Sequence, residues 1–371
     1  MKVCFFNVTA TSIAGGLETY CWEAGRALAR RGHEVDIVAG DRGKAWHNEV
    51  RLFQFPYRAE VEWPDFGRRF RRLMERVSFA RHAMGHLLVA GYDAIIVNKP
   101  FDFPVLWRAR AMGLRAQTVF RSGGTDFFFG DRGFAGSVDH WVSTSRHNAR
   151  EVEERYGRPV RVIYNGVDPA VFQPLARQPG WRSAQAIPDR ALVLASVGRL
   201  VGLKGLRVVI EALAGVDAEV HFIVMGDGPE GAALKLRAAQ LGVGARVHFL
   251  GRVARERLPQ LLAEADALVQ PSIGVEAFGI SVVEAMACAL PVLASNLGGM
   301  RETVIDQQTG RLLAQGEVPI WRDAIAAAAV QRDLLKAWGS AGRERAVSEF
   351  SWAHNAARLE ALLTPGAQGI G

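Results

Sequence analysis

Two glutamates eight positions apart flank a glycine turn in the second half of the sequence. Glu276 and Glu284 lie on either side of Gly279 within "GVEAFGISVVEAMACALPV", residues 274–292. The apolar run after Gly279 predicts a helix, and the free N–H groups of a helix N-terminus bind anions. Carboxylates accept hydrogen bonds from the vicinal hydroxyls of a hexose or a ribose, so the stretch predicts a clamp along one elongated, phosphate-bearing ligand. The alternative is that Glu284 only stabilises the helix dipole and Glu276 is an ordinary loop residue.

A pair of cations precedes this stretch. "VGRLVGLKG", residues 197–205, places Arg199 and Lys204 five positions apart between an apolar strand and a helix. A guanidinium binds phosphate as a fork and an ammonium binds it as a point charge, so the pair suits a diphosphate. A solvated loop is the alternative interpretation.

Two glycine motifs also follow apolar strands. Gly15-Gly16-Leu17-Glu18 stands where a helix begins, so the glycines let backbone N–H groups approach an anion. Its spacing is not the G-x-G-x-x-G of dinucleotide-binding proteins, and an ordinary glycine turn is the alternative. "MGDGPE", residues 225–230, predicts a tight turn into a helix, and ordinary turn chemistry is the alternative to a binding role.

These motifs are carried by strands and helices that alternate along both halves of the chain. Apolar strands joined by helices are typical of parallel sheets covered on both faces, which predicts an α/β fold of two facing Rossmann-like, doubly wound domains. Strands are predicted at 3–8, 34–39, 94–97, 116–120 and 141–143 in the first half, and at 191–197, 220–225, 246–250, 267–270 and 291–294 in the second.

The length of 371 residues exceeds the usual size of a single hydrophobic core, so two domains are expected. Residues 165–190 are rich in Pro, Gly and Gln and lack periodicity, which indicates a boundary in this segment. We predict domains at 1–168 and 169–352. Because ligands of such sheets bind beyond the carboxyl ends of the strands, the chemistry is expected in an interdomain cleft.

The composition limits the classes of protein to which the chain belongs. No run of about 18 apolar residues is present, and Met1-Lys2 leads directly into a strand, so we expect a cytoplasmic protein without a spanning helix or signal peptide. The three cysteines, Cys4, Cys21 and Cys288, are isolated and are interpreted as buried thiols. The net charge of +7 lies in the first half, where 25 Lys and Arg in residues 1–165 face 18 Asp and Glu.

Taken together, the motifs resemble the retaining glycosyltransferases of family 4, which have the GT-B fold. The matching stretches are Gly15–Glu18, "VIYNGVDPAVFQP" at 162–174, "VGRLVGLKG", "MGDGPE", residues 276–302 and "VSEFSWAHNAARLEALL" at 347–363. "VNKPFD", residues 97–102, is similar to bacterial lipopolysaccharide-core glucosyltransferases. The resemblance also implies that a terminal helix, within residues 353–371, crosses back to the first domain.

The resemblance implies a role for each matching residue. Glu276 would hold the hydroxyls of the donor sugar and Glu284 the ribose of the nucleotide. Gly279, Ile280 and Ser281 would offer backbone N–H groups to the phosphates, and Arg252 is the weaker candidate, near the nucleobase. The other implied donor-binding residues are Gly16, Arg199, Lys204 and Phe278. Glu276, Arg199 and Lys204 would also be catalytic.

One region departs from the family pattern. Many members have a histidine after a central strand of the first domain, where this sequence reads "TVFRSGGTDFFFG", residues 118–130. Arg121 or Asp126 would stand in for it, and Lys99 and Asp102 are further candidates on the acceptor side. The sequence alone does not choose among these four residues.

The implied reaction moves a hexose from a nucleotide diphosphate sugar to a hydroxyl of a glycan or lipid-linked acceptor, with the anomeric configuration retained. UDP-hexose is preferred over GDP-mannose as the donor, and cell-envelope polysaccharide or lipopolysaccharide synthesis is the expected setting. The sequence has no Asp-x-Asp motif, so metal-independent activity without a cofactor is predicted. A GT-B-like epimerase or phosphorylase and a catalytically silent sugar-nucleotide or lipid-surface binding protein are the alternatives.

A basic amphipathic segment suggests a further partner. Residues 66–88 place apolar side chains on one stripe and six arginines on the other faces, which predicts docking on an anionic membrane surface. On this interpretation the protein is peripheral on the inner face of the cytoplasmic membrane. The alternative is a solvated helix packed on its own domain. Nucleic acid is not expected as a partner, because no recognised binding motif accompanies the charge.

Overall fold

The computed structural model describes residues 1–12, 15–124, 126–217 and 219–364, and the elements given below are those of these residues. The chain forms two compact units. Met1–Asn165 and the segment that begins at Trp352 form the first, and Gly166–Ser351 forms the second.

The first unit is built on a parallel sheet. Its elements in chain order are β1 (Lys2–Phe6), α1 (Gly16–Arg30), β2 (Glu34–Gly40), β3 (Arg51–Phe55), α2 (Arg68–Val89), β4 (Ala94–Val97), α3 (Phe103–Ala111), β5 (Gln117–Ser122), β6 (His140–Ser143), α4 (Arg146–Tyr156) and β7 (Arg161–Val162). The strand order is β3-β2-β1-β4-β5-β6-β7. Strands β1 and β4 are almost entirely buried because both faces of the sheet are covered by helices, which agrees with their continuous apolar sequences.

The second unit repeats this architecture. Its elements are α5 (Trp181–Ala184), β8 (Leu192–Val197), α6 (Leu206–Leu213), β9 (Val220–Met225), α7 (Gly231–Gln240), β10 (Val247–Gly251), α8 (Leu258–Leu262), β11 (Ala267–Gln270), α9 (Ile280–Ala287), β12 (Val292–Ser295), α10 (Met300–Thr303), β13 (Gly310–Leu313), α11 (Val318–Val330) and α12 (Arg332–Glu349). The parallel strand order is β10-β9-β8-β11-β12-β13.

In both sheets the strand order reverses beside one strand. Strand β1 lies between β2 and β4, and β8 lies between β9 and β11. The loops that leave the two strands at such a switch point diverge and leave a crevice where ligands of doubly wound sheets bind. The predicted α/β class with two doubly wound, Rossmann-like domains is therefore confirmed.

The last helix, α13 (Trp352–Leu363), belongs to the first unit, where it packs against α1. The Trp352 ring lies 6.2 Å from that of Tyr20, the Arg31 guanidinium binds the Glu360 carboxylate, and the Gln117 side chain donates to the Leu363 carbonyl at 3.0 Å. Of the predicted terminal segment 353–371, residues 365–371 lie outside the described ranges.

Helix α2 corrects one sequence-based expectation. The six arginines of residues 66–88 were expected on solvent-facing sides, but Arg76 is buried. Its Nη1 donates to both carboxylate oxygens of the fully buried Asp102, at 2.6 and 2.8 Å. The reason is electrostatic, because a carboxylate removed from water needs a paired cation. Arg72 also turns inward and binds Asp126. The basic surface of this helix is therefore smaller than the sequence indicated.

Candidate active site

The switch point of the second unit brings together one residue from each of the two predicted charged pairs. The loop after β8 carries Lys204, and the loop after β11 carries Glu276. Lys204 Nζ lies 2.5 Å from Glu276 Oε2, and the two side chains are 27% and 21% exposed. A cation and a carboxylate that meet at the edge of a parallel sheet, still in reach of solvent, are suited to bind a polar ligand.

Gln270, at the end of β11, holds the Glu276 carboxylate from a second side. Its amide nitrogen donates to Glu276 Oε2 at 3.3 Å and to Ser272 Oγ at 2.9 Å. Both Gln270 and Ser272 are buried, so the amide is fixed in place. Sequence reasoning missed Gln270, because a glutamine at a strand end has no distinctive spacing.

Helix α9 begins where the sequence predicted. Gly279 adopts φ +85°, a conformation in which a residue with a side chain is strained, and a Cβ at this position would also lie 2.4 Å from the flexible end of Met300, at Cε. The first bonds back to the Gly279 carbonyl come from Val282 N at 3.0 Å and Val283 N at 3.3 Å. The N–H groups of Ile280 and Ser281 are therefore the leading donors of the helix N-terminus, where an anion is stabilised.

Phe278, which was predicted to bind the donor, is buried just before this turn. Its ring packs edge-on against that of Phe350, with the ring centroids 5.5 Å apart. The side chain therefore anchors the turn, and the contact with a ligand that this segment could offer comes from its backbone.

A glycine pair that the sequence analysis did not single out supports the Glu276 loop. Gly299 N donates to the Glu276 carbonyl at 2.8 Å. A Cβ on Gly298, which has φ +54°, would lie 2.4 Å from that carbonyl oxygen, and one on Gly299 would lie 2.2 Å from the Ala277 oxygen. The loop can take its position only because residues 298 and 299 have no side chains.

The remaining predicted cations of the second unit are more exposed to solvent than Lys204. Arg199 and Arg252 are exposed, and neither side chain has a hydrogen-bond or ion-pair partner among the described residues. "MGDGPE" packs tightly on the loop that carries Arg199, since a Cβ on Gly226 would lie 1.8 Å from the Gly198 oxygen. The structure thus joins Lys204 to Glu276, while Arg199 stands on the same loop as Lys204 with its side chain in solvent.

The second glutamate has a partner that the sequence did not indicate. Glu284 is 3% exposed, and its Oε1 accepts from Arg255 Nη1. Arg255 comes from the short 3-10 helix after β10, and its guanidinium carbon lies 5.0 Å from the centre of the Phe172 ring. The alternative of a simple helix-dipole glutamate does not explain a buried carboxylate held by this ion pair.

In the first unit, Gly16 is the exposed first residue of α1. Thr9, on the loop after β1, donates through its hydroxyl to Glu18 Oε1 at 2.6 Å. A Cβ on Gly15 would lie 2.8 Å from the other Glu18 oxygen, so this carboxylate already occupies the space beside the helix N-terminus.

Arg121 is buried on the inside of the first unit. Its guanidinium carbon lies 3.8 Å from the centre of the Tyr20 ring, and Nη2 donates to Asn165 Oδ1. Burial lowers its pKa to about 10. The side chain is 2% exposed, so proton transfer to a substrate would require a rearrangement.

Asp126 lies in an ion cluster with Lys99 and Arg72. Lys99 Nζ is 3.2 Å from Asp126 Oδ2, which also accepts from Arg72 Nη1. Burial acts to raise the pKa of Asp126, but Lys99 and Arg72 outweigh it and hold the pKa below its ordinary value. Burial lowers the pKa of Lys99, and Asp126 offsets only part of that effect. Asp126 and Lys99 are each about one quarter exposed, whereas Asp102 is fully enclosed with Arg76.

Among the described residues, no group of three or more His, Cys, Asp or Glu side chains is placed to hold a metal ion. No helix in the described part of the chain has the length and hydropathy needed to cross a membrane.

Solved structures share this architecture. Sucrose-phosphate synthase from Thermosynechococcus elongatus superposes with a TM-score of 0.83 at 22% identity, over 97% of this chain and 98% of that one. HepE from Anabaena, solved with UDP and glucose, gives 0.81 at 22% identity over 98% and 100%. WaaG, described as a glycosyltransferase involved in lipopolysaccharide biosynthesis, gives 0.76 at 19% identity over 98% and 100%. The fold is that of the GT-B glycosyltransferases.

Sequence comparisons define the family. The model for glycosyl transferases group 1 matches residues 178–345, and the model for Glycosyltransferase Family 4 matches residues 14–171. D-inositol 3-phosphate glycosyltransferase from Mycobacterium tuberculosis is 30% identical over 397 aligned positions, covering 97% of this chain and 80% of that protein. The enzyme of the same name from Nocardia farcinica is 32% identical over 244 residues, which span 62% of this chain and 53% of that protein. The chain belongs to glycosyltransferase family 4.

Proposed function

We propose that the protein is a retaining hexosyltransferase that transfers a hexose from a nucleotide diphosphate sugar to an acceptor hydroxyl. Gly166–Ser351 would bind the donor, and the first unit would bind the acceptor. No further cofactor is required, because the nucleotide sugar is a co-substrate and activity is proposed to be independent of metal.

The observation that carries the proposal is the Lys204–Glu276 pair beside the N-terminus of α9. Lys204, whose Nζ lies 2.5 Å from Glu276 Oε2, follows β8. Glu276 and the first N–H groups of α9 follow β11, the strand that pairs with β8. A donor whose diphosphate lies over the helix N-terminus can place its hexose against Glu276 and its ribose against Glu284. Lys204 and Arg199 then face the phosphates.

This arrangement favours departure of the nucleotide diphosphate. As the glycosidic bond breaks, the sugar ring becomes cationic and negative charge develops on the leaving phosphate. Fixed donors aimed at that charge contribute on the order of 3 kcal/mol each to the lowering of the barrier. Lys204, Arg199 and the leading N–H groups of α9 are these donors, while Glu276 orients the sugar. The departing phosphate would take the proton of the acceptor hydroxyl.

The donor assignment is tested by measuring binding and turnover. UDP-glucose, GDP-mannose and ADP-glucose are compared by calorimetry, and release of the nucleoside diphosphate is followed with each. We expect a UDP-hexose to be preferred; HepE, with the same fold, was solved with UDP-glucose. Lys204→Ala and Glu276→Ala should each reduce product formation at least a hundredfold, because each removes a group that contacts the reacting half of the donor.

A matched control is Lys235→Ala, which removes the same type of charge from α7 of the same unit. Lys235 lies 5.6 Å from the centre of the Phe249 ring and takes no part in the site. Unchanged product formation with Glu276→Ala and Lys204→Ala, given the true donor and acceptor, would refute the proposal. Nucleotide sugar binding without turnover on any acceptor would favour the silent binding protein.

The acceptor is proposed to be a glycan or lipid-linked glycan of the cell envelope. Support comes from "VNKPFD" and from the fold shared with WaaG, which is described as acting in lipopolysaccharide biosynthesis. The exposed part of the Lys99–Asp126 cluster is the proposed acceptor-facing group, since Asp102 is enclosed. An acceptor panel should also contain D-inositol 3-phosphate, because relatives carry that name.

We further propose that the start of α2 meets an anionic lipid surface. Phe66 is 75% exposed and stacks edge-on with the partly exposed Phe70, while Arg68 and Arg69 stand exposed beside them. Exposed aromatic and basic side chains at one helix end favour an interfacial position. Co-sedimentation with phosphatidylglycerol vesicles should be lost with Phe66→Ser and Arg69→Ser combined and retained with Arg81→Ser farther along the helix. Equal sedimentation of both variants would contradict this proposal.

A further inference from the structure

The ion pair between Arg255 and Glu284 connects two loops that leave distant strands of the second sheet. Arg255 follows the edge strand β10, and Glu284 lies on α9, which follows β11. Strands β9 and β8 separate β10 from β11 in the sheet. The guanidinium must therefore reach across the carboxyl edge of two intervening strands.

The surroundings hold both charged groups in place. Glu284 is 3% exposed, so it requires a paired cation to remain ionised in the folded protein. The Arg255 side chain is 20% exposed, and its guanidinium lies against the ring of the fully buried Phe172. A cation–π contact on one side and a carboxylate on the other fix the guanidinium plane before any ligand binds.

The ion pair leaves Glu284 able to act on a ligand. An ionised carboxylate offers about four lone-pair positions, so Glu284 can accept from a sugar hydroxyl while it still accepts from Arg255. Loss of Arg255 would remove an ion-pair partner that holds the rotamer and stabilises the charge of the buried carboxylate. Both effects weaken the hydrogen bonds that Glu284 offers to a ligand.

We infer that Arg255 is a positioning residue that sets Glu284 for recognition of the ribose hydroxyls of the donor nucleotide. The inference rests on the proposed function, because it takes the nucleotide diphosphate sugar as the ligand. Arg255 belongs to the loop after β10, residues 252–257, which also carries Arg252, the candidate for the nucleobase side. This loop would therefore contact the base and, through Arg255, control the ribose contact as well.

The experiment compares nucleotides with and without ribose hydroxyls. UDP, GDP and ADP are first titrated into the wild-type protein by calorimetry, and the tightest is paired with its 2′,3′-dideoxy analogue. Arg255→Ala should weaken binding of the ribonucleotide about tenfold, the effect of losing one charged hydrogen bond, and binding of the dideoxynucleotide less than twofold. Arg255→Lys should recover part of the ribonucleotide affinity.

Arg257→Ala is the matched control. Arg257 is an exposed arginine of the same 3-10 helix, two positions further along, so its removal changes the net charge of the loop equally. Affinity for both nucleotides should stay within twofold of wild type. Arg255→Ala in a Glu284→Gln background should also change ribonucleotide affinity less than twofold, because the carboxylate through which it acts is absent.

The outcomes separate this inference from the proposed function. Equal weakening of both nucleotides by Arg255→Ala, or no weakening of either, overturns the positioning role while leaving the donor class intact. A wild-type protein that binds none of the three nucleoside diphosphates overturns the donor class and the inference with it. If Arg255→Ala fails to fold, as seen by circular dichroism, the comparison of Arg255→Lys with wild type on the two nucleotides decides in its place.

Discussion

Gly298→Ala should damage the active site from a residue that contacts no substrate. Gly298 has φ +54°, and an added Cβ would stand 2.4 Å from the Glu276 carbonyl oxygen. A non-glycine residue in the left-handed region costs about 1–2 kcal/mol. The contact with a backbone atom cannot be relieved by a rotamer change, and overpacking of this kind adds about 1–3 kcal/mol. The loop that carries Glu276 must therefore move.

Gly242→Ala is the control that separates backbone strain from displacement of the loop that carries Glu276. Gly242 has φ +71° with nothing within 4 Å of the added Cβ, so this variant carries the backbone strain alone. A domain of this size loses about 2–4 °C in Tm for each kcal/mol of destabilisation. We expect Gly242→Ala to lower Tm by about 2–8 °C with unchanged kcat/KM. Gly298→Ala should lower Tm by about 4–20 °C.

The decisive assay is kcat/KM for glycosyl transfer at a temperature where both variants are folded. Displacement of a positioning group by about 1 Å costs up to a hundredfold, so Gly298→Ala should lose at least tenfold relative to Gly242→Ala. Activity of Gly298→Ala within twofold of Gly242→Ala would refute the reasoning. It would show that the glycine pair does not determine the position of Glu276.

Three further predictions concern ion pairs and metal. Arg76→Met should destabilise the protein by about 3–5 kcal/mol in chemical denaturation, because it leaves Asp102 buried and unpaired. Adding Asp102→Leu should restore most of this loss. Equal stability of the single and double variants would contradict this prediction. The folded-state pKa of Asp126 is lowered, so its contribution to stability is complete above its ordinary value of 3.8 and is lost as pH falls further, toward the folded-state pKa. Asp126→Asn should flatten the pH dependence of Tm below about pH 4, and an unchanged slope there would count against this. Dialysis against EDTA should leave the initial rate within twofold, and recovery only on adding a divalent cation would show a metal requirement.

Three buried strands were predictable to the residue. Ala94–Val97, Val220–Met225 and Ala267–Gln270 have the predicted bounds because they are buried on both faces. Strand β3, Arg51–Phe55, was missed. It lies at the edge of its sheet, is only partly buried and mixes polar with apolar residues. Burial on one face leaves a weaker signal than burial on both.

The candidate site also contains residues that the sequence predicts and residues that it does not. Lys204, Glu276 and Gly279 were predictable, because chemistry fixed their residue types and their positions after strands. Arg255 was not, since Arg252, Arg255 and Arg257 look alike in sequence and only the tertiary path of the loop brings one of them to Glu284. The choice among the acceptor-side candidates depended on which carboxylate is buried, and no local sequence pattern distinguishes Asp102 from Asp126 in this respect.

The chain leaves the first unit at Asn165 and returns to it only at Trp352. During synthesis, the second unit is therefore complete while the first still lacks α13. Until that helix emerges from the ribosome, Tyr20, Arg31 and Gln117 have no counterparts for their contacts with Trp352, Glu360 and Leu363. The half that is translated first is thus the half that finishes folding last, and a chain released before residue 352 would carry a finished second unit beside a first unit with an uncovered helix face.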